Sequence, residues 1–195
     1  MSGSRASLCA RLRHCLDRAR ACEKGVSSVE FALIAPVLIV IMAGIADVGD
    51  LLVSRSDISA AVSAGSNFLL VNASRVAEAP EEVARQTAAV AANRLPRGGV
   101  VRIVVNGDLT VVNRDGSFST TGSAASAAQC FCASGSGASM SFGSALECGR
   151  TCGSGGYASR YVQIDVSRSY EPKFGGFGFA SSGDAISVNS MVSVP

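Results

Sequence analysis

The sequence predicts an α+β protein, with one long N-terminal membrane/stalk helix followed by a small helix-plus-antiparallel-sheet domain. Three observations carry this. A charge-free apolar run at residues 31–46 continues into a helical spacing of Ile58, Ala61, Val62, Gly65, Phe68 and Leu69. A second helical stretch begins at Pro80. After it the pattern changes to β-branched runs and period-two alternation, at residues 100–105, 161–166 and 186–194. No repeated βαβ unit occurs, so the strands should form a small antiparallel sheet packed on helix.

The apolar run (FALIAPVLIVIMAGIA) is 16 residues long. Its flanks extend it to residues 26–53, with acidic residues only at Glu30, Asp47 and Asp50. A spanning helix needs roughly 20 mostly apolar residues. A buried core helix rarely stays apolar on every face for four turns, so a membrane span is the better reading. Residues 1–25 carry six basic side chains against two acidic ones, whereas the remainder carries 11 basic and 13 acidic. A basic flank tends to stay in the cytoplasm, which orients the helix N-in and C-out. The basic excess sits in the leader, and no basic patch with interleaved aromatics follows, so no nucleic-acid partner is expected. Gly44-Ile45-Ala46 has the small-x-small form that signal peptidase accepts. Against cleavage there stand the 30 residues before the run and the helical pattern that continues past Ala46.

Pro80 with Glu81 and Glu82 gives a helix start, and Pro96 with Gly98 and Gly99 gives its end, so a helix is expected over 80–95. Residues 100–105 (VVRIVV) and 109–112 flank Asn106-Gly107-Asp108, a hairpin-turn signal. Residues 161–166 (YVQIDV) and 186–194 (ISVNSMVSV) alternate. Residues 116–160 are rich in Gly and Ser and read as mostly irregular. The expected organisation is a cytoplasmic leader at 1–25, a transmembrane helix at 26–53, a stalk at 54–75 and an extracytoplasmic domain at 76–195.

The 7 cysteines divide by compartment. Cys9, Cys15 and Cys22 lie in the leader and are expected to stay reduced, while Cys130, Cys132, Cys148 and Cys152 are expected to meet an oxidising space and form two disulfides. A Cys130–Cys132 link would strain a small ring. Two connectivities remain open: 130–148 with 132–152, or 130–152 with 132–148. Each bridge would close a loop worth roughly 3 kcal/mol in the chain-entropy model. A zinc site of four cysteines is the rival, although Cys-x-Cys and Cys-x3-Cys fit zinc knuckles imperfectly. No metal or cofactor is expected. The one histidine, His14, lies in the leader, so the external part has no imidazole base for a hydrolase of the Ser-His or Cys-His kind. No catalytic residue is assigned.

The most informative segment is residues 23–31, EKGVSSVEF. A basic leader ends at Gly25, and five residues later Glu30 stands at the mouth of the apolar helix, followed by Phe31. Gly25 lets a protease approach the backbone closely. Cleavage after it would leave a cationic amine on Val26. A carboxylate inside an apolar span costs up to roughly 2.5–3.5 kcal/mol unless paired, and that amine is a natural partner for Glu30. This Gly-x-x-x-x-Glu-Phe pattern resembles the processing site of type IV prepilins. The continuation through Pro36, Val37 and Leu38, and the stalk with Ala60, Ala61, Ala64 and Gly65, resemble the TadE-like family of the tight-adherence (Flp/Tad) branch. The Cys-x-Cys followed by a second cysteine pair, and Tyr170-Glu171-Pro172, resemble the C-terminal part of that family. The resemblance implies a minor pseudopilin of a tight-adherence pilus, anchored in the bacterial inner membrane. It implies prepilin peptidase, other pilins or pseudopilins, and inner-membrane platform proteins as partners, besides the lipid bilayer. It also implies that Pro36 loosens the helix to help the subunit leave the membrane. The alternative is a membrane-anchored envelope binding module, or a thiol-active protein using the external cysteines.

Overall fold

A single helix, α1, runs over Lys24–Val71, 48 residues in all. The computed structural model describes residues 24–135, 140–153, 155–175, 181 and 183–195, with the backbone alone at Lys24, Gly25 and Val26. Cys9, Cys15, Cys22 and His14 lie outside the described residues. The helix passes through Pro36 without interruption, although proline can donate no hydrogen bond to the carbonyl of Ala32. The chain divides into two compact units, Met1–Asp47 and Val48–Pro195, and α1 contributes to both.

The second unit is an antiparallel sheet under two helices, the α+β class that the alternation predicts. A short helix α2 (Arg75–Glu78) leads into α3 (Pro80–Ala92), which has Pro80 in its first turn and Glu81 and Glu82 near its positive dipole end. Helix α3 stops at Ala92, three residues short of the expected end. Asn93 caps it, and the amides of Arg94 and Leu95 fold back onto the carbonyls of Ala91 and Ala92 as a tight turn.

Five strands form the main sheet in the order β3-β2-β1-β6-β7: β1 (Gly99–Val105), β2 (Leu109–Arg114), β3 (Ser117–Thr121), β6 (Arg160–Ser169) and β7 (Ala185–Val194). All neighbouring pairs are antiparallel. The β1–β2 connection is three residues long, Asn106-Gly107-Asp108, since Val105 pairs with Leu109, and it has positive φ at both Asn106 (53°) and Gly107 (74°). The amide of Asp108 closes it on the carbonyl of Val105 at 3.1 Å.

One face of the sheet is dry. Val101, Ile103, Val105, Leu109, Val111, Val162, Ile164 and Val166 pack with Ile58, Ala61, Val62 and Leu69 of α1 and with Val83, Ala84, Ala88 and Ala91 of α3. The opposite face is partly solvated, which gives each strand its alternation. Gly65 lets α1 come close: a Cβ there would lie 3.4 Å from Ala91 Cβ and 3.5 Å from Ile164 Cδ1. Thr87, fully buried, satisfies its hydroxyl by donating to the carbonyl of Val83 at 2.7 Å.

Within residues 116–160, expected to be mostly irregular, some regular structure stands among the described residues. They contain β3, a one-turn helix α4 (Ala124–Ala127), and a separate two-stranded sheet of β4 (Cys130–Ser134) and β5 (Ser141–Leu146). The two-residue Asp115-Gly116 turn, with φ of 49° and 86°, folds β3 back on β2. The register of β4 on β5 shifts between Phe131 and Ala133, which breaks the alternation that would have marked the strand.

Candidate functional site

The side chains singled out in the sequence lie in two regions. The first is the N-terminal part of α1. Gly25 and Val26 are helical along the backbone, so the helix begins before the expected junction rather than at Val26. Val26 and Glu30 are four positions apart on one helix, a little over one turn. Glu30 is exposed, and Phe31 keeps 66% of its surface accessible.

Beyond Phe31 the exposed side chains are almost all apolar: Leu33, Ile34, Val37, Leu38, Ile39, Val40, Ile41, Met42 and Ile45 are each at least 46% accessible. They point to every side of the helix, whereas a soluble helix keeps one polar face. The most apolar window of this segment has no buried share. It is one helix long and apolar enough to cross a membrane, by length and composition.

The second region is the cysteine-bearing sheet β4–β5. Cys130 is joined to Cys148 and Cys132 to Cys152, with Cα–Cα distances of 5.2 and 5.7 Å. Of the two connectivities open in the sequence, the structure adopts this one. Each bridge runs from β4 to the loop after β5, and the two closed loops overlap along the chain rather than nest. Cys130 is buried at 1% accessibility, while Cys148 is exposed. All four of these thiols are used in the bridges, which leaves none of them for a zinc ion or for thiol chemistry in this state.

Aromatic rings attach this small sheet to the main one. Phe131 meets Phe142 edge-on at 6.2 Å, and Phe142 meets Tyr161 of β6 at 5.7 Å. Asn106 makes the polar half of the joint. Its amide group donates to the carbonyls of Ala127 (3.0 Å) and Gln129 (2.9 Å), and its side-chain oxygen accepts from the amide of Tyr161 (2.8 Å).

A third group of side chains is not visible in the sequence. Asp50 and Asp57 on α1 share a groove with Arg97, Arg168, Glu171 and Lys173. Asp50 pairs with Lys173 at 2.6 Å. No motif links these residues: Asp50 and Asp57 come from α1, Arg97 from the connection between α3 and β1, Arg168 from the end of β6, and Glu171 and Lys173 from the segment after it.

No curated protein and no solved structure matches the chain. A protein family does match, and the match covers the region from the leader junction into the packed half of α1. It takes in Gly25, Val26, Glu30, Phe31 and the whole apolar run, and it bears out the resemblance that the junction carries. Residues 25–67 match the TadE-like protein family.

Proposed function

We propose that this chain is a minor pseudopilin that takes part in assembling a tight-adherence pilus of the type IV class. The single observation that carries the reading is the TadE-like match over residues 25–67, which coincides with the Gly25–Glu30–Phe31 junction and the apolar helix. In this reading the basic leader stays in the cytoplasm, α1 crosses the bacterial inner membrane once, and Val48–Pro195 lies outside it. Disulfides in the outer unit fit an oxidising compartment. The role is structural rather than enzymatic.

Prepilin peptidase would cut between Gly25 and Val26. The mature chain would begin with a cationic amine one helical turn from Glu30. In an apolar surrounding the two charges neutralise each other, within the subunit or between neighbouring pilins, and the N-terminal end of the helix dipole favours the carboxylate further. Partner subunits and the inner-membrane platform would then recognise the uninterrupted apolar helix.

N-terminal sequencing of the membrane-extracted protein, made in a host with its own peptidase, tests this. The expected start is Val26. A start at Asp47 would mean an ordinary signal peptidase, and an intact leader would remove the pseudopilin mechanism. Glu30→Ala should be cleaved normally yet assemble poorly, because the new amine loses its partner. Gly25→Leu should block cleavage. A reporter active only outside the cytoplasm, fused after Leu70, should be active.

A further inference from the structure

The main sheet ends in two open edges. Among the described residues β3 and β7 are its outermost strands, each paired on one side only. Exposed edges of folded proteins are usually guarded by a charge, a proline or a bulge. Neither edge has one. Strand β7 (AISVNSMVSV) has no charged residue and no proline, and it follows β6 over ten residues without a break in register. Strand β3 (SFSTT) is likewise free of charge and proline.

The hydrogen bonds fix which backbone groups point outward. In an antiparallel ladder, alternate residues of a strand face alternate neighbours. The amide of Asn106 donates to the carbonyl of Tyr161 at 2.8 Å, so odd-numbered residues of β6 face β1 and even-numbered ones face β7. The amide of Tyr170 donates to the carbonyl of Asp184 at 2.9 Å, in the same phase. In β7 the odd-numbered residues, Ala185 to Ser193, therefore turn their N–H and C=O groups away from the sheet. Carried through β1 and β2, this phase leaves Phe118 and Thr120 of β3 turned outward at the other edge. Phe118 lies on the dry face with Ile186, Val188 and Val192. The outward-turned residues thus belong to the dry face in β3 and to the wet face in β7.

Four antiparallel pairings separate β3 from β7, so the two strands run in one direction. In a parallel pair, residues side by side on one face have opposite phase, one bonding across and the other away. The two edges stand in that relation. We propose that β7 of one copy pairs in parallel with β3 of a second copy, dry face beside dry face, so that the sheet continues from subunit to subunit in an open row. Pairing β7 with β7 would need a two-fold axis that reverses the stretch of α1 from Ile58 to Leu69, which packs on the dry face. Subunits that enter one bilayer through α1 carry this stretch in one direction, so the inference rests on the reading of α1 as a membrane span. The head-to-tail pair also satisfies both edges, whereas a β7–β7 pair leaves every β3 open.

The test uses the full-length protein in its host membrane, with Cys9, Cys15 and Cys22 changed to serine. One cysteine is added at Ser119 and a second at Ser187, Asn189 or Met191, all on the wet face. Isolated membranes are oxidised mildly and run on a non-reducing gel. At least one of the three pairs should give a ladder of dimers, trimers and higher species, and the single-cysteine variants should stay monomeric. Thr120→Pro removes an outward amide that bonds nothing in β2, and should lower the ladder yield at least about tenfold. Circular dichroism and two intact native disulfides report folding; if Thr120→Pro unfolds, Asn189→Pro replaces it, read through the pairs at Ser187 and Met191. No ladder from any pair overturns the inference. So does a dimer from the single cysteine at Asn189 or at Ser119, or an undiminished ladder in a folded proline variant. A chain found only in the soluble fraction overturns the membrane reading, a separate result, and the head-to-tail pair then stands or falls by the same ladder in solution.

Discussion

Asn106 shows how much one side chain can hold. It occupies the left-handed region at φ 53°, which asparagine tolerates better than most residues. From there it bonds the carbonyls of Ala127 and Gln129 and the amide of Tyr161, so one turn residue fixes the segment that enters β4 and the start of β6. Asn106→Ala would leave these backbone groups without partners and put a Cβ-bearing residue with no local hydrogen bond at positive φ. A loss of about 2–4 kcal/mol is expected, since each unsatisfied buried group costs about 1–3 kcal/mol. Urea unfolding of the full-length protein in micelles checks this. Asn106→Asp keeps the acceptor for the Tyr161 amide but turns a second acceptor onto the carbonyls of Ala127 and Gln129 in a buried site, so it should be destabilised at least as much as Asn106→Ala; equal midpoints for wild type and Asn106→Ala would show that the joint is held by the rings alone. Gly122 is another residue with a narrow range: at φ 93° a Cβ would overlap the carbonyl of Asp108.

At the scale of elements, the two disulfides do for β4 and β5 what apolar alternation does for the main sheet. The bridges span 18 and 20 residues. Loops of that size are worth roughly 3 kcal/mol each in the chain-entropy model. Cys130→Ser/Cys148→Ser should cost more than Cys132→Ser/Cys152→Ser, by about 1 kcal/mol, because a hydroxyl would replace a buried sulfur at Cys130. Urea midpoints of the two double variants give the comparison, and a larger loss for the 132–152 pair would contradict it. The same elements show what is legible in the chain. The hairpin at Asn106-Gly107 is legible because long β-branched runs flank it. Asp115-Gly116 has the same turn chemistry, yet β3 (SFSTT) carries one apolar residue and reads as loop; β2 supplies the pairing that its own composition does not announce. Strands β4 and β5 are concealed by small residues and a register shift, and their pairing depends on cross-links far apart in sequence. The junction at Gly25, Glu30 and Phe31 is legible because all its chemistry lies within one helical turn or two. The groove is not, because Asp57, Arg97 and Arg168 meet only once the sheet is built.

On the scale of the whole molecule, the sheet order β3-β2-β1-β6-β7 joins an early hairpin to two late strands across its centre. Strand β7 pairs with all ten residues of β6, from Arg160–Val194 to Ser169–Ala185, and adds Ile186, Val188 and Val192 to the margin of the core. A chain ending after Asp184 should therefore lose more than an edge. It should be cleaved by limited proteolysis within the 160–169 segment, where the complete protein resists; equal resistance would show that β6 is held adequately by β1. The same order has a consequence for biosynthesis. Strands β1 to β3 can zip together as soon as they are made, but the other side of β1 waits for β6: Val105 finds its partner only at Val162. When β6 arrives it opens a new bare margin that waits for β7. Throughout that interval the nascent chain presents an unsatisfied strand and an apolar sheet face, the features that invite aggregation. The pairing of β6 is thus complete only when residue 194 has been delivered.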